Sequence, residues 1–206
     1  MYSSKGSRLH EYACAGNRQE VRDMLRRGAN VNYRDRRSGS TALIAASYNG
    51  SFSVACTLLE QEGVDVNIKD NDGDTALIEA SKNGKVLLVT SLLNHRRVDV
   101  NIKNNGGETA LMKACFYGYL DVVLALLNHR GVKVNIKDND GWAALIYASY
   151  CGYVELVRAL LNHEGVDVHV RNNNGSTALD VARIRAKVDV VRLLEEHVER
   201  ENLLEE

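Results

Sequence analysis

The sequence predicts an all-α fold, a solenoid of stacked helix-turn-helix units with β-hairpin or turn fingers projecting along one edge. Three observations predict it. The segments GSTALIAAS, GDTALIEAS, GETALMKAC, GWAALIYAS and GSTALDVAR begin at Gly39, Gly73, Gly107, Gly141 and Gly175, a constant step of 34 residues. Each unit holds two short apolar patterns of helical period, and in the first five a glycine stands where the first helix should end. One further step back from Leu43 lands on Leu9, so six units are anchored at Leu9, Leu43, Leu77, Leu111, Leu145 and Leu179. A fixed period of this length means that each copy buries its neighbours and is too small to fold alone.

The elements follow in order within one unit, residues 70–101. Asp70-Asn71-Asp72-Gly73 is a tight-turn signal. Thr75 is a suitable N-cap, and residues 76–83 form about two helical turns with Leu77, Ile78 and Ala80 inward. Gly84 ends that helix. A second helix over about 85–94 puts Val86, Val89, Leu92 and Leu93 on one face, and Val98-Asp99-Val100-Asn101 runs extended into the next turn. Neither helix is stable alone at this length. The predicted organisation is one domain, 1–206, with repeats near 1–34, 35–68, 69–102, 103–136, 137–170 and 171–206, the first and last serving as caps.

The G-x-T-A-L opening, the glycine after the first helix, the leucine pair closing the second and the V-N step into the turn resemble the ankyrin repeat. The resemblance covers about residues 8–198. It implies a protein-recognition scaffold without catalysis, its finger tips and first helices lining a concave groove. The chain departs from the family where T-P-L-H becomes T-A-L-I or T-A-L-M, and it contains no proline. Ile44, Ile78, Met112 and Ile146 are expected to compensate by burying more apolar area. In the last unit Ala186 replaces the helix-ending glycine, and Asp180, Arg183 and Arg185 charge its first helix, as a terminal cap requires. The tail over 195–206 reads as an extension of the last helix.

Composition narrows the function. Lys+Arg number 26 and Asp+Glu 27, a formal net charge of -1, where a dedicated nucleic-acid binder would be basic. Nucleic acid is therefore not an expected partner. The charge is nevertheless uneven: residues 1–37 are rich in arginine, and residues 189–206 are mostly acidic. Cys14, Cys56, Cys115 and Cys151 are scattered without metal-ligand spacing, so neither a disulfide framework nor a zinc site is expected. The start has no apolar signal region and no segment is apolar enough to span a bilayer. These features suit the cytoplasm, with the nucleus or secretion as an effector left open.

No nucleophile, metal or phosphate-loop motif is present, so no enzyme activity, catalytic residue, cofactor or metal is expected. His95, His129 and His163 recur at the repeat period, but stacked helices sit roughly 10 Å apart, too far to share one ion. A His at a helix C-terminus suits the dipole instead.

The candidate partner-binding residues lie at three groove positions of each unit: the residue between the Gly and the Thr, and the two before the helix-ending Gly. Trp142, Phe116, Tyr117 and Tyr150 fall there in the fourth and fifth units, with Tyr147 close by, and these are residue types enriched in interface hot spots. Trp142 and Tyr150 are expected to be exposed. Asp74, Glu108, Lys82 and Tyr48 occupy the same positions in other units. Arg36 and Arg37 sit on the first finger, which is one residue longer than the rest. The expected ligand inserts an apolar anchor between units four and five and reaches with basic residues toward the acidic units three and four. The leading reading is a monomeric adaptor, scaffold or inhibitor. The alternatives are a structural protein assembled through its charge-complementary ends, and a targeting domain of a larger enzyme.

Overall fold

The computed structural model describes residues 4–204. Among them are twelve helices in six pairs and no strand. The first helices are α1 (Lys5–Cys14), α3 (Ala42–Asn49), α5 (Ala76–Lys82), α7 (Ala110–Tyr117), α9 (Ala144–Cys151) and α11 (Ala178–Ile184). The second helices are α2 (Arg18–Arg26), α4 (Phe52–Leu59), α6 (Val86–Leu93), α8 (Leu120–Leu127), α10 (Val154–Leu161) and α12 (Val188–Leu204). Each first helix packs on its own partner and on the first helices before and after it, and the second helices do the same. Two parallel helical layers result, with one continuous core between them.

The local chemistry explains the bounds. Thr41, Thr75, Thr109 and Thr177 each accept a hydrogen bond from the backbone N–H three residues on, closing an N-terminal turn. Ala143 has no such hydroxyl, and α9 starts without a side-chain cap. At the other end, Gly118 (φ 83°) and its counterparts take the left-handed conformation. The glycine is needed for space as well as φ, because the next unit leans on it: a Cβ at Gly118 would lie 2.8 Å from the Tyr153 ring. Ala186 holds the same role without being glycine, at φ 52°. Ile44, Ile78, Met112 and Ile146 are all buried, as their apolar character predicts. α12 continues the acidic tail as helix to Leu204; residues 205–206 of that predicted extension lie outside the described residues.

The projecting fingers take the turn form. In each, two backbone hydrogen bonds close the loop, as from Asn104 N to Glu108 O (2.9 Å) and from Gly107 N to Asn104 O (2.9 Å). Both belong to the turn itself, and no ladder of strands follows from them. What holds the fingers in line is asparagine. The Asn71, Asn105, Asn139 and Asn173 backbone N–H groups each donate to the preceding finger. Their side-chain amides donate to Arg37 O, Asn71 O, Asn105 O and Asn139 O at 2.8–2.9 Å. A second ladder runs through the segments that lead from each second helix into the finger, where Asn32, Asn67, Asn101 and Asn135 donate to carbonyls of the following unit at 2.7–2.8 Å. The same side chains accept the N–H of Asp65, Asp99, Lys133 and Asp167. Unit-to-unit stacking is thus polar along the fingers and their lead-in segments and apolar between the helical layers.

Candidate functional site

The groove between the fingers and the first helices is built from one repeating device. The first residue of each finger turn, Asp35, Asp70, Asn104, Asp138 or Asn172, turns its side-chain oxygen back onto backbone N–H groups of its own finger. This fixes where the residue between the Gly and the Thr points. That residue lies over the first helix, facing the side chain five positions on. The expectation that Trp142 at this position is exposed is therefore corrected. Ser40 and Asp74 are buried there, Glu108 and Trp142 half-buried.

In units three and four the position is polar and satisfied within the chain. Asp74 is only 3% exposed, because Lys82 reaches it at 3.5 Å and the Asn104 amide donates to it at 2.8 Å. Lys82 also holds Glu79 at 3.2 Å. Burial pushes the Glu79 carboxyl up from the usual carboxylate range, against the pull of Lys82. Asn104 further donates to Glu108 at 3.0 Å, and Lys113 pairs with the same carboxylate. Asp74, Glu108 and Lys82 thus bond to one another's network and present little unpaired charge to a ligand.

In unit five the same positions carry rings. Asp138 is buried and uses both carboxylate oxygens: one accepts the N–H of Asp140 (2.9 Å) and Trp142 (2.8 Å), the other the Tyr147 hydroxyl (2.5 Å). Burial and that carboxylate push the Tyr147 phenol well above its ordinary pKa. Trp142 meets Tyr147 with ring centroids 5.1 Å apart and Tyr150 at 5.4 Å. Phe116 from α7 meets Tyr147 at 5.8 Å and Tyr117 at 5.1 Å. Phe116, Trp142, Tyr147, Tyr150 and Asp140 line a hollow of about 290 Å³. Phe116 and Tyr117 are 41% and 43% exposed. Trp142 and Tyr150, expected in the open, are half-buried because each packs on the other and on the core. The Arg185 guanidinium lies 4.5 Å over the Tyr150 ring.

Tyr48, 57% exposed, belongs to a separate hollow of about 330 Å³ at the other end, lined by His10, Cys14, Ser40 and Glu79 among others. Cys14 Sγ sits 3.8 Å from His10 Nδ1. Burial raises the thiol and lowers the imidazole, the reverse of what a thiolate–imidazolium pair needs. Arg36 and Arg37 are exposed on the first finger, remote in sequence from the aromatic corner and not among its lining. Two of the periodic histidines are helix-end fittings: His95 and His129 accept backbone N–H groups two residues on, at 3.3 and 3.2 Å, whereas the buried His163 Nδ1 has no partner. Among the described residues no group of three metal-ligating side chains comes together, and no helix is long and apolar enough to cross a membrane.

Sequence reasoning missed two residues of the corner, Asp138 and Asp140. The signal for Asp138 was its place in the series Asp35, Asp70, Asn104, Asp138, Asn172. Nothing marked Asp140 except its finger-tip position.

Comparison with known proteins places these features in a wider set. Family models described as ankyrin repeats match residues 62–138 and 130–202 (three copies), 24–80 (many copies) and 7–36 (single repeat). No curated protein matches the sequence significantly. Among solved structures, the ankyrin repeat protein EF0377 superposes with a TM-score of 0.86 at 26% identity, covering 95% of this chain and 98% of that one. An ankyrin repeat domain from Acinetobacter baumannii AYE superposes with a TM-score of 0.83 at 32% identity, covering 92% and 96%.

Proposed function

The chain belongs to the ankyrin-repeat family, and from that premise we propose that it binds a protein or peptide segment at the aromatic corner of its fourth and fifth helix pairs. Ankyrin repeats are in general protein–protein interaction modules. The observation that carries the choice of site is the ring cluster around an open hollow: Phe116 and Tyr117 are exposed, and Trp142, Tyr147 and Tyr150 are half-buried beside them. A soluble surface gains nothing from gathering large rings, while an interface gains buried area at low entropic cost. Elsewhere in the groove, units three and four satisfy their own charges and offer a ligand less.

The role is that of an adaptor, scaffold or inhibitor. The test is capture from lysate with wild type and with Trp142→Ala/Tyr150→Ala, both checked for helicity. A partner held by wild type should lose about 2 kcal/mol or more of binding in the variant. Equal retention by both would remove the corner as the site and turn attention to Arg36 and Arg37. A second reading rests on charge: α12 and the tail are acidic, the first two helices basic, and head-to-tail contacts between copies would build open chains. Self-association that disappears in high salt, with no captured partner, would favour it.

A further inference from the structure

The expected ligand carried an apolar anchor into the corner and basic groups toward units three and four. The geometry reverses that assignment. The carboxylates of Asp74, Glu79 and Glu108 already have Lys82 and Lys113. Asp140 is the acid on the lining of the ring hollow; it is exposed, and its carboxylate has no cation or hydrogen-bond donor among the described residues. An apolar anchor filling this hollow would cover Asp140 without pairing it, which is unfavourable. A cation would pair it and meet aromatic faces as well.

We propose that the hollow receives the ammonium group of a lysine from the bound segment, with Asp140 as its counter-ion and Phe116, Trp142, Tyr147 and Tyr150 as its walls. This rests on the corner being the docking site. The rings meet at interplanar angles of 82° (Phe116–Tyr147), 45° (Trp142–Tyr147) and 71° (Trp142–Tyr150), so they enclose the hollow from several directions instead of forming one flat stack. That shape suits a compact ammonium on an aliphatic stem. A planar guanidinium prefers a single ring face, as Arg185 takes over Tyr150. One further feature favours positive charge beside Asp140, set against the Arg185 guanidinium that already covers the Tyr150 ring. Asp138 is buried, with both carboxylate oxygens satisfied within the chain. The Tyr147 hydroxyl donates to it, which enriches the ring in electron density and strengthens its attraction for a cation.

Trp142 is the only tryptophan of the chain, so its fluorescence reports on the hollow directly. The probes are blocked tripeptides Gly-X-Gly, with X as lysine, trimethyl-lysine, arginine or norleucine, titrated into the intact protein. The expected result is a saturable change with the lysine or trimethyl-lysine probe and none with norleucine at equal concentration. Tighter binding of the trimethylated form assigns a methylated lysine, and the opposite order an unmodified one. Asp140→Asn should weaken the ammonium probes about tenfold. Phe116→Leu keeps an apolar wall but removes a ring face, and should weaken them while leaving norleucine unchanged. Both residues are exposed, and thermal melts check that the variants fold. Norleucine binding as tightly as lysine, arginine binding best, no response to any probe, or indifference to Asp140→Asn would each overturn the ammonium assignment. The lysate capture with Trp142→Ala/Tyr150→Ala reads the docking site separately, so a partner lost there while the probes fail refutes the lysine alone.

Discussion

At three register positions the fourth helix pair carries Asn104, Glu108 and Lys113, while the fifth carries Asp138, Trp142 and Tyr147. Both triads are held by the same finger turn, whose first residue accepts the N–H of the residue four positions on at 2.9 and 2.8 Å. In the fourth pair the remaining contacts are an amide–carboxylate bond and the Glu108–Lys113 ion pair. In the fifth, a phenol–carboxylate bond orients a ring that lies tilted at 45° against an indole. The backbone supplies the same presentation twice, and the side chains decide whether the slot is closed by its own charges or left open for a ligand.

The sharpest way to break the comparison is to write the fourth triad into the fifth pair. Asp138→Asn/Trp142→Glu/Tyr147→Lys should fold with a cooperative melt, because the same set already works one unit earlier. Partner capture should fall by at least about 30-fold, the equivalent of 2 kcal/mol at an interface hot spot. Retained binding in a folded triple variant would show that the corner is a packing solution only.

A middle-sized effect should come from Ala143→Thr. Four other units place a threonine there and close the helix start with its hydroxyl, while α9 starts uncapped. The buried threonines at the matching positions show that the stack has room for one. A gain of about 1 kcal/mol in chemical denaturation is expected. Binding should be unchanged; a stabilised variant with weaker capture would mean that the missing cap serves the site.

The smallest effect belongs to the charged side of the comparison. Burial raises the folded-state pKa of Glu79 above its usual value. For a raised acid, the favourable contribution is present below the unfolded-state pKa and is lost as pH rises through the folded-state value. Glu79→Gln lacks this titration. Wild type should accordingly lose stability relative to the variant between the carboxylate range and neutral pH, with the two curves meeting in shape below it. Thermal midpoints measured across that range read the difference, and parallel curves throughout would place Glu79 fully ionised with Lys82.

Much of the fold was legible because repeats announce themselves locally. Leu43, Leu77, Leu111 and Leu145 recur in register, threonine marks four helix starts, and glycine marks helix ends. The predicted helix of 76–83 is observed as Ala76–Lys82, and that of 85–94 as Val86–Leu93. The candidate site was legible only in part. Trp142, Tyr147, Tyr150 and Phe116 were found because ring types at periodic positions stand out. The mutual pairing around Asp74, Lys82 and Glu108 was not legible because partners lie on different elements: Asn104 joins Asp74 from 30 residues away. Both asparagine ladders escaped notice for the same reason, as each amide bonds across 30–34 residues.

By itself the sequence determined the period, the helix starts and stops, and the face of each helix that goes inward. These depend on φ preferences, capping chemistry and apolar spacing, all of which act within a few residues. Only the tertiary structure decided which charges neutralise one another, how deep Trp142 sits, and that Asp140 remains without a cation. Those outcomes depend on how one unit sits on the next, where a side chain chooses among partners that adjacency in the chain does not reveal.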